Sequence, residues 1–200
     1  MRRALVSVVL CLIAAACGTS GASGSVVSSP ADRTPAAVGV GGETAKFALL
    51  STAFDHDGHI PEHYTCDGKD FSPQLRWGAP PDGTASLALI MDDPDAPRGT
   101  FVHWLIWNIA ANTRPCEEAM PVAATLPDGS RQGENGARVV GYRGPCPPGT
   151  SEHRYFFKLY ALDTMLTLPS GANKQQLLDA MQGHILGQGE LVGRYSRPAR

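Results

Sequence analysis

Two apolar segments, residues 87–91 and 104–109, flank an acidic segment with two prolines, Asp92-Asp93-Pro94-Asp95-Ala96-Pro97. Runs of aliphatic and aromatic residues of this length are typical of buried strands. Proline fixes φ and has no backbone donor, and the residue before it avoids the helical region. The pattern predicts two core strands joined by a rigid, extended acidic loop. That loop is either a solvated turn or part of a functional site.

The rest of the chain predicts a mainly β domain with one helix. Strand patterns bounded by turn residues cover residues 47–54, 74–77, 101–109, 153–162 and 190–195. A helical pattern is clear over residues 173–185, with an apolar stripe of Leu177, Leu178, Met181 and Ile185. Residues 111–136 are rich in Pro, Gly, Asn and Glu and predict a long loop. Together these features favour a β-sandwich with a peripheral helix.

The first 43 residues predict a targeting signal followed by a tether. Arg2 and Arg3 precede an apolar run too short to span a bilayer, which indicates a signal peptide over residues 1–16. Small residues before Cys17 are similar to a bacterial lipoprotein cleavage box, so we expect Cys17 to become the lipidated N-terminus. The alternative is an ordinary secretory signal. Residues 17–43 are mostly small and uncharged, which predicts a disordered tether before a domain over residues 44–200.

This organisation places the domain at a cell membrane, anchored by lipid and facing outside the cytoplasm, or secreted if Cys17 carries no lipid. The chain has 17 basic and 19 acidic residues. Removing residues 1–16 takes away Arg2 and Arg3, which leaves 15 basic against 19 acidic residues and a net charge of −4. No basic stripe is visible, so nucleic acid is not expected as a partner.

Three cysteines follow the tether: Cys66, Cys116 and Cys146. Outside the cytoplasm an odd number indicates one disulfide and one remaining thiol, and the residues alone leave the connectivity open. The spacings contain no C-x-x-C motif, so they suggest neither a redox motif nor a structural zinc site. Asp55, His56 and Asp57 could form a metal loop, but a solvated turn is the favoured interpretation. We expect no metal and no cofactor.

Three separated motifs carry a family resemblance. Asp93-Pro94-Asp95-Ala96-Pro97, Phe101-Val102-His103-Trp104, and Gly144-Pro145-Cys146-Pro147-Pro148 with His153-Arg154-Tyr155 occur in this order. In this order and spacing they resemble the phosphatidylethanolamine-binding proteins, and most closely their bacterial, Raf-kinase-inhibitor-like branch. The resemblance covers nearly all of residues 47–196. It implies a Greek-key β-sandwich with one or two peripheral helices and a small anion pocket at one end.

The resemblance also implies which residues line the pocket. Phe101 stands where the family often has Trp, and it keeps an apolar wall without the indole N–H. In animal members a helix after the last strand helps to gate the pocket, and we expect this chain to lack it because Arg200 follows soon after Tyr195. The implied ligand-binding residues are Asp93, Asp95, Phe101, His103, Gly144, Pro145, His153 and Tyr155.

The chemistry of these residue types fits an anionic ligand. The two histidines, the Tyr155 hydroxyl and backbone N–H groups near Gly144 could donate hydrogen bonds to a phosphoryl group. The two carboxylates would hold the histidines in one tautomer and favour their protonation. Cys66 and Cys146 lie in loops where the bacterial branch also has cysteines, which implies that they pair. The alternative pair is Cys116–Cys146.

The sequence leaves three functions open. The first is a non-enzymatic protein that binds small phosphoryl or carboxylate ligands, with no catalytic residues. The second is an inhibitor or regulator that docks on a protease or a kinase-type protein partner, as family members do. The third is a hydrolase, which ranks lowest because Ser72 precedes a proline and lacks the Gly-x-Ser-x-Gly turn of an exposed nucleophile.

Overall fold

The protein is described by a computed structural model over residues 44–113 and 116–199. The predicted signal peptide, Cys17 and the tether lie outside these residues. The strands are β1 (Ala45–Lys46), β2 (Leu49–Ser51), β3 (Gly58–His59), β4 (Leu75–Trp77), β5 (Ser86–Asp93), β6 (Phe101–Ala110), β7 (Arg131–Gln132), β8 (His153–Leu162) and β9 (Ile185–Tyr195). A 3-10 helix covers Glu62–Tyr64 and the helix α1 covers Lys174–Met181.

A seven-stranded sheet dominates the fold. Its main path runs β1-β9-β8-β5-β6-β7, and β3 pairs with β9 beside this path. The pairs among β5, β6, β8 and β9 are antiparallel, whereas β1 and β3 run parallel to β9. The strands β2 and β4 form a second, two-stranded antiparallel sheet. The predicted mainly β fold is confirmed.

Each face of the large sheet has its own core. Alternate residues of β5 point to opposite faces, so Leu89 and Met91 join one apolar cluster while Ala88 and Ile90 join the other. The first cluster includes Leu49 and other residues of the small sheet, and the second includes residues of α1. Strand β5 is buried along its whole length, which explains why its sequence is a continuous apolar run.

The helix is shorter than predicted. Asn173 caps α1, because its side chain accepts from the Gln176 N–H while the Gln176 side chain accepts from the Asn173 N–H. The helix ends at Met181, before Gly183, whose φ of +83° ends the helical path. Ile185 begins β9 instead of extending the stripe, because it pairs with Leu162 of β8. None of the helices in the described residues is both long and apolar enough to cross a membrane.

Two other predicted segments need correction. The strand predicted over residues 47–54 is limited to β2, because only these residues pair with β4. The segment predicted as a loop over residues 111–136 contains β7, which pairs with β6 through Gln132 and Arg131. The buried Gln132 side chain accepts a hydrogen bond from the Trp104 indole N–H at 2.7 Å, which attaches this segment to the core. Buried polar contacts of this kind are not visible in sequence periodicity.

Candidate functional site

The acidic segment forms the turn between β5 and β6, at one end of the large sheet. Asp93 is the last residue of β5, and Asp93 pairs with Phe101 at the start of β6. The Asp93 Oδ1 atom accepts the backbone N–H of Asp95 at 2.8 Å, which fixes the start of the turn. The Asp93 side chain therefore lies at the rim of the core, facing the same cluster as Met91.

His103 lies at a β-bulge. Asp92 pairs with Val102 and Met91 pairs with Trp104, so His103 is the extra residue between the two pairs. A bulge bends the strand locally and changes the direction of a side chain, and bulges are frequent beside functional sites. The His103 ring packs in edge-on geometry against Phe101 and Tyr155, with ring centroids 4.8 and 5.1 Å away. These contacts hold the imidazole in one orientation.

A backbone contact fixes the tautomer of His103. Its Nδ1 atom lies 2.6 Å from the carbonyl oxygen of Arg143, which can only accept, so Nδ1 carries the hydrogen. Burial lowers the pKa of His103 below its usual value of 6.5, although the Arg143 carbonyl and the Asp93 carboxylate act in the opposite direction. The carboxylates of Asp93 and Asp70 do favour protonation of this histidine, but burial is the larger effect and keeps its pKa below the usual value.

His153 and Asp93 form a buried pair. The His153 Nδ1 atom lies 2.8 Å from Asp93 Oδ2, and the two side chains are only 7% and 5% exposed. Since a carboxylate accepts, His153 donates from Nδ1 and its Nε2 atom is left for other partners. Asp93 thus holds His153 in one tautomer, as was predicted for the carboxylates.

These side chains meet at a cavity of about 180 Å³. Pro97 of the acidic turn and Pro147 and Pro148 of the Gly-Pro loop supply apolar walls, while Arg143 adds a cation. The cavity is lined by Asp93, Ala96, Pro97, Phe101, His103, Arg143, Cys146, Pro147, Pro148 and His153. Four of the eight predicted ligand-binding residues, Asp93, Phe101, His103 and His153, belong to this lining.

Asp95 lies outside the lining. Its carboxylate accepts from Arg154 Nε at 2.9 Å and Arg154 Nη2 at 2.8 Å, and also from the Arg154 backbone N–H at 3.0 Å. This guanidinium lowers the pKa of Asp95 to about 2. Asp95 thus orders the turn against β8 and holds neither histidine.

Gly144, Pro145 and Tyr155 also lie outside the lining. The Gly144 N–H donates to Asp70 Oδ1 at 2.6 Å, and a Cβ at Gly144 would collide with the carbonyl oxygen of Tyr64. The Pro145 carbonyl accepts from the Cys66 N–H at 3.1 Å. The Tyr155 hydroxyl is buried without a hydrogen-bond partner among the described residues, so its hydrogen is not used within the protein.

The Gly-Pro loop is tied to the segment after the 3-10 helix by a disulfide. Cys66 and Cys146 are bonded, with Cα atoms 5.4 Å apart, which confirms the pairing implied by the resemblance. Cys116 is the buried free cysteine among the described residues, so the alternative pair with Cys146 is wrong. Burial raises the pKa of the Cys116 thiol to about 12, which makes it unreactive.

Sequence reasoning missed Arg143 and the three lining prolines. Arg143 lies between Tyr142 and Gly144 in a quoted loop, and a cation beside a Gly-Pro turn is the signal that could have identified it. A larger, open cavity of about 580 Å³ lies elsewhere, lined by Arg76, Trp77 and residues of two loops. We place the candidate site in the smaller cavity, because only there do buried titratable groups converge.

The chain is similar to known proteins over nearly the whole of the described domain. The family model described as phosphatidylethanolamine-binding protein matches residues 50–196 of the chain. The chain belongs to the phosphatidylethanolamine-binding protein family. The family predicted from the three motifs is therefore confirmed. The acidic turn, the His103 strand and the Gly-Pro loop all lie inside the matched range.

Similar proteins occur in archaea and bacteria. The UPF0098 protein of Methanothermobacter thermautotrophicus is 53% identical over 149 residues, which are 74% of this chain and 98% of the relative. The UPF0098 protein of Aquifex aeolicus is 47% identical over 74% of this chain and 88% of its own length. A crystal structure of a phosphatidylethanolamine-binding protein homolog from Chlamydia trachomatis is 38% identical. It superimposes with a TM-score of 0.70 over 78% of this chain and all of its own length.

Proposed function

We propose that this protein binds a small phosphoryl or carboxylate head group in the cavity between His103 and His153. The observation that carries the proposal is the convergence of two buried imidazoles, each with Nδ1 already hydrogen-bonded, and the Arg143 side chain on one small cavity. Pockets for drug-sized ligands occupy roughly 300–1,000 Å³. A cavity of about 180 Å³ fits a head group better than a whole lipid or cofactor.

The charges around the cavity support an anionic ligand. Asp93 is engaged by His153 and by the Asp95 N–H, and the charge of Asp95 is offset by Arg154. Arg143 is exposed at the cavity, where its guanidinium can contact an anion. The matching family, which is described as phosphatidylethanolamine-binding protein, favours a phosphoryl ligand. A 27% identical Escherichia coli structure described as a new member of the mammalian family agrees with this.

The binding proposal is tested by calorimetric titration with inorganic phosphate and with O-phosphorylethanolamine. Hydrogen bonds to charged groups contribute roughly 1.5–3 kcal/mol, so His103→Ala should weaken binding by about 10-fold or more. His184→Ala is the matched control, because His184 also pairs with a carboxylate, Asp163 at 2.7 Å, but on an exposed surface. Equal affinity in wild type and His103→Ala would contradict the proposal. No binding at millimolar ligand would favour a protein-docking function.

The second part of the proposal is that lipid on Cys17 holds this binding domain at the outer face of a membrane. It is supported by the basic start, the short apolar run and the small residues that precede Cys17. We expect the full chain to sediment with membranes in a bacterial host, and Cys17→Ser to move it to the soluble or secreted fraction. A wild-type chain found only in the soluble fraction would show that the signal is an ordinary secretory one.

A further inference from the structure

Both cavity histidines present the same ring atom to a ligand. The Nδ1 hydrogens are used inside the protein, by the Arg143 carbonyl for His103 and by the Asp93 carboxylate for His153. In a neutral imidazole the other nitrogen is an acceptor. Among the described residues neither Nε2 atom has a hydrogen-bond partner. A neutral histidine in this tautomer therefore offers a ligand a lone pair, not a hydrogen.

Two of the donors that the sequence suggested are already used or lie outside the lining. The Gly144 N–H donates to Asp70, and the Tyr155 hydroxyl lies outside the lining. Three of the ten lining residues, Pro97, Pro147 and Pro148, have no backbone N–H. Arg143 has the lining side chain that can donate to an anion in every protonation state of the histidines. If one phosphoryl oxygen contacts Arg143, another oxygen near His103 faces the Nε2 atom, which is an acceptor in neutral His103. The two acceptor atoms can be in contact only if a hydrogen lies between them.

The surroundings of His103 keep it neutral in the free protein at neutral pH. Burial lowers its pKa, and the nearby Arg143 guanidinium acts in the same direction. The Arg143 carbonyl and the carboxylates of Asp93 and Asp70 act in the opposite direction but are weaker than burial. The titratable or charged groups around His103 are Asp70, Asp93, Arg143, His153 and Tyr155.

We propose that the cavity binds its phosphoryl ligand together with one proton, which lies between a phosphoryl oxygen and His103 Nε2. A phosphomonoester monoanion brings this hydrogen as its P–OH group, and a dianion must take it from solvent. A phosphodiester has no P–OH group. The site therefore selects phosphomonoesters, including inorganic phosphate, over phosphodiesters. This inference rests on the proposed function, because it specifies the ligand class and protonation state at the same site.

The test is titration of the protein with methyl phosphate at pH 6, 7 and 8, in two buffers with different ionisation enthalpies. The second pKa of a phosphomonoester is about 6, so the monoanion falls from about half to about 1% of the ligand between pH 6 and pH 8. We expect affinity to fall by about 50-fold over this range, following that population. The buffer comparison should show uptake of nearly one proton per bound ligand at pH 8.

Dimethyl phosphate provides the comparison between ligand classes. It should bind about 5-fold or more weakly than methyl phosphate at pH 6, where about half of the methyl phosphate is monoanion, because it lacks the hydrogen that His103 accepts. Binding of methyl phosphate without proton uptake, or equal affinity for the diester, would overturn this inference and leave the proposed function standing. No binding of either compound at any pH would instead contradict the proposed function.

His103→Gln adds a direct test of the assigned residue. A glutamine amide does not titrate and can donate to a phosphoryl oxygen, so this variant should lose the proton uptake and most of the preference for the monoester. His184→Gln should keep the wild-type pH profile. A His103→Gln protein that still takes up one proton would show that another group carries it. The wild-type titrations remain decisive if this variant does not fold.

Discussion

Replacing Cys66 and Cys146 together by serine is expected to lower the free energy of unfolding by about 4 kcal/mol, because the disulfide closes a long loop in the unfolded chain. The two cysteines are 80 positions apart. For a domain of this size a loss of that order lowers the melting temperature by about 10 °C. Three hydrogen bonds, including Tyr142 Oη to the Tyr64 carbonyl at 2.8 Å, still join the two segments, so the variant should fold.

Chemical reduction supplies the control for the disulfide prediction. Dithiothreitol should lower the unfolding free energy of the wild-type protein to that of the double serine variant and leave the variant itself unchanged. Denaturant unfolding followed by tryptophan fluorescence measures both. Equal stability of the oxidised and reduced wild type would show that the link between Cys66 and Cys146 contributes little.

Replacing Lys158 and Lys174 together by methionine is expected to cost about 3–5 kcal/mol of stability, because it leaves a buried carboxylate without a counter-charge. The Asp92 side chain is only 3% exposed, and its Oδ2 atom lies 2.8 Å from Lys174 Nζ and 3.5 Å from Lys158 Nζ. Asp92 faces the α1 side of the sheet, directly before Asp93 in the chain. Methionine retains the apolar stem of each lysine, so the measured loss reports the charge.

A third substitution separates the charge effect from lost packing. Adding Asp92→Asn to the double methionine variant removes the uncompensated charge and should recover most of the lost stability. Denaturant unfolding of the wild type, the double variant and the triple variant gives the comparison. A triple variant no more stable than the double variant would attribute the loss to the lysine stems and to their contact with Phe156.

The sequence was most informative where the structure depends on local pattern and on the order of motifs. The apolar run before the acidic turn predicted β5, because a strand buried on both faces needs apolar residues throughout. The three motifs predicted the family, since their order along the chain needs no knowledge of contacts. The same motifs predicted that Asp93, His103 and His153 lie at one cavity, as they do. They did not predict the hydrogen bonds that hold each side chain.

The features that the sequence did not predict depend on contacts between distant segments. Asp95 pairs with Arg154, 59 positions later, so its orientation follows from the packing of the turn on β8. The bulge at His103 follows from the register of β5 and β6 and cannot be seen in either strand alone. Ile185 fitted the helical stripe, yet pairing with Leu162 makes it the start of β9. In each case tertiary contacts outweighed the local preference.

The central claim, that a phosphoryl group binds between His103 and His153, is tested most directly by nitrogen-15 NMR of the histidine side chains during titration with inorganic phosphate. The chain has six histidines, and His56, His59, His63 and His184 lie away from the cavity lining and serve as internal controls. We predict saturable shifts of the Nε2 signals of His103 and His153, with their Nδ1 signals remaining protonated. Absence of shifts at these two residues, or equal shifts at all six, would contradict the claim.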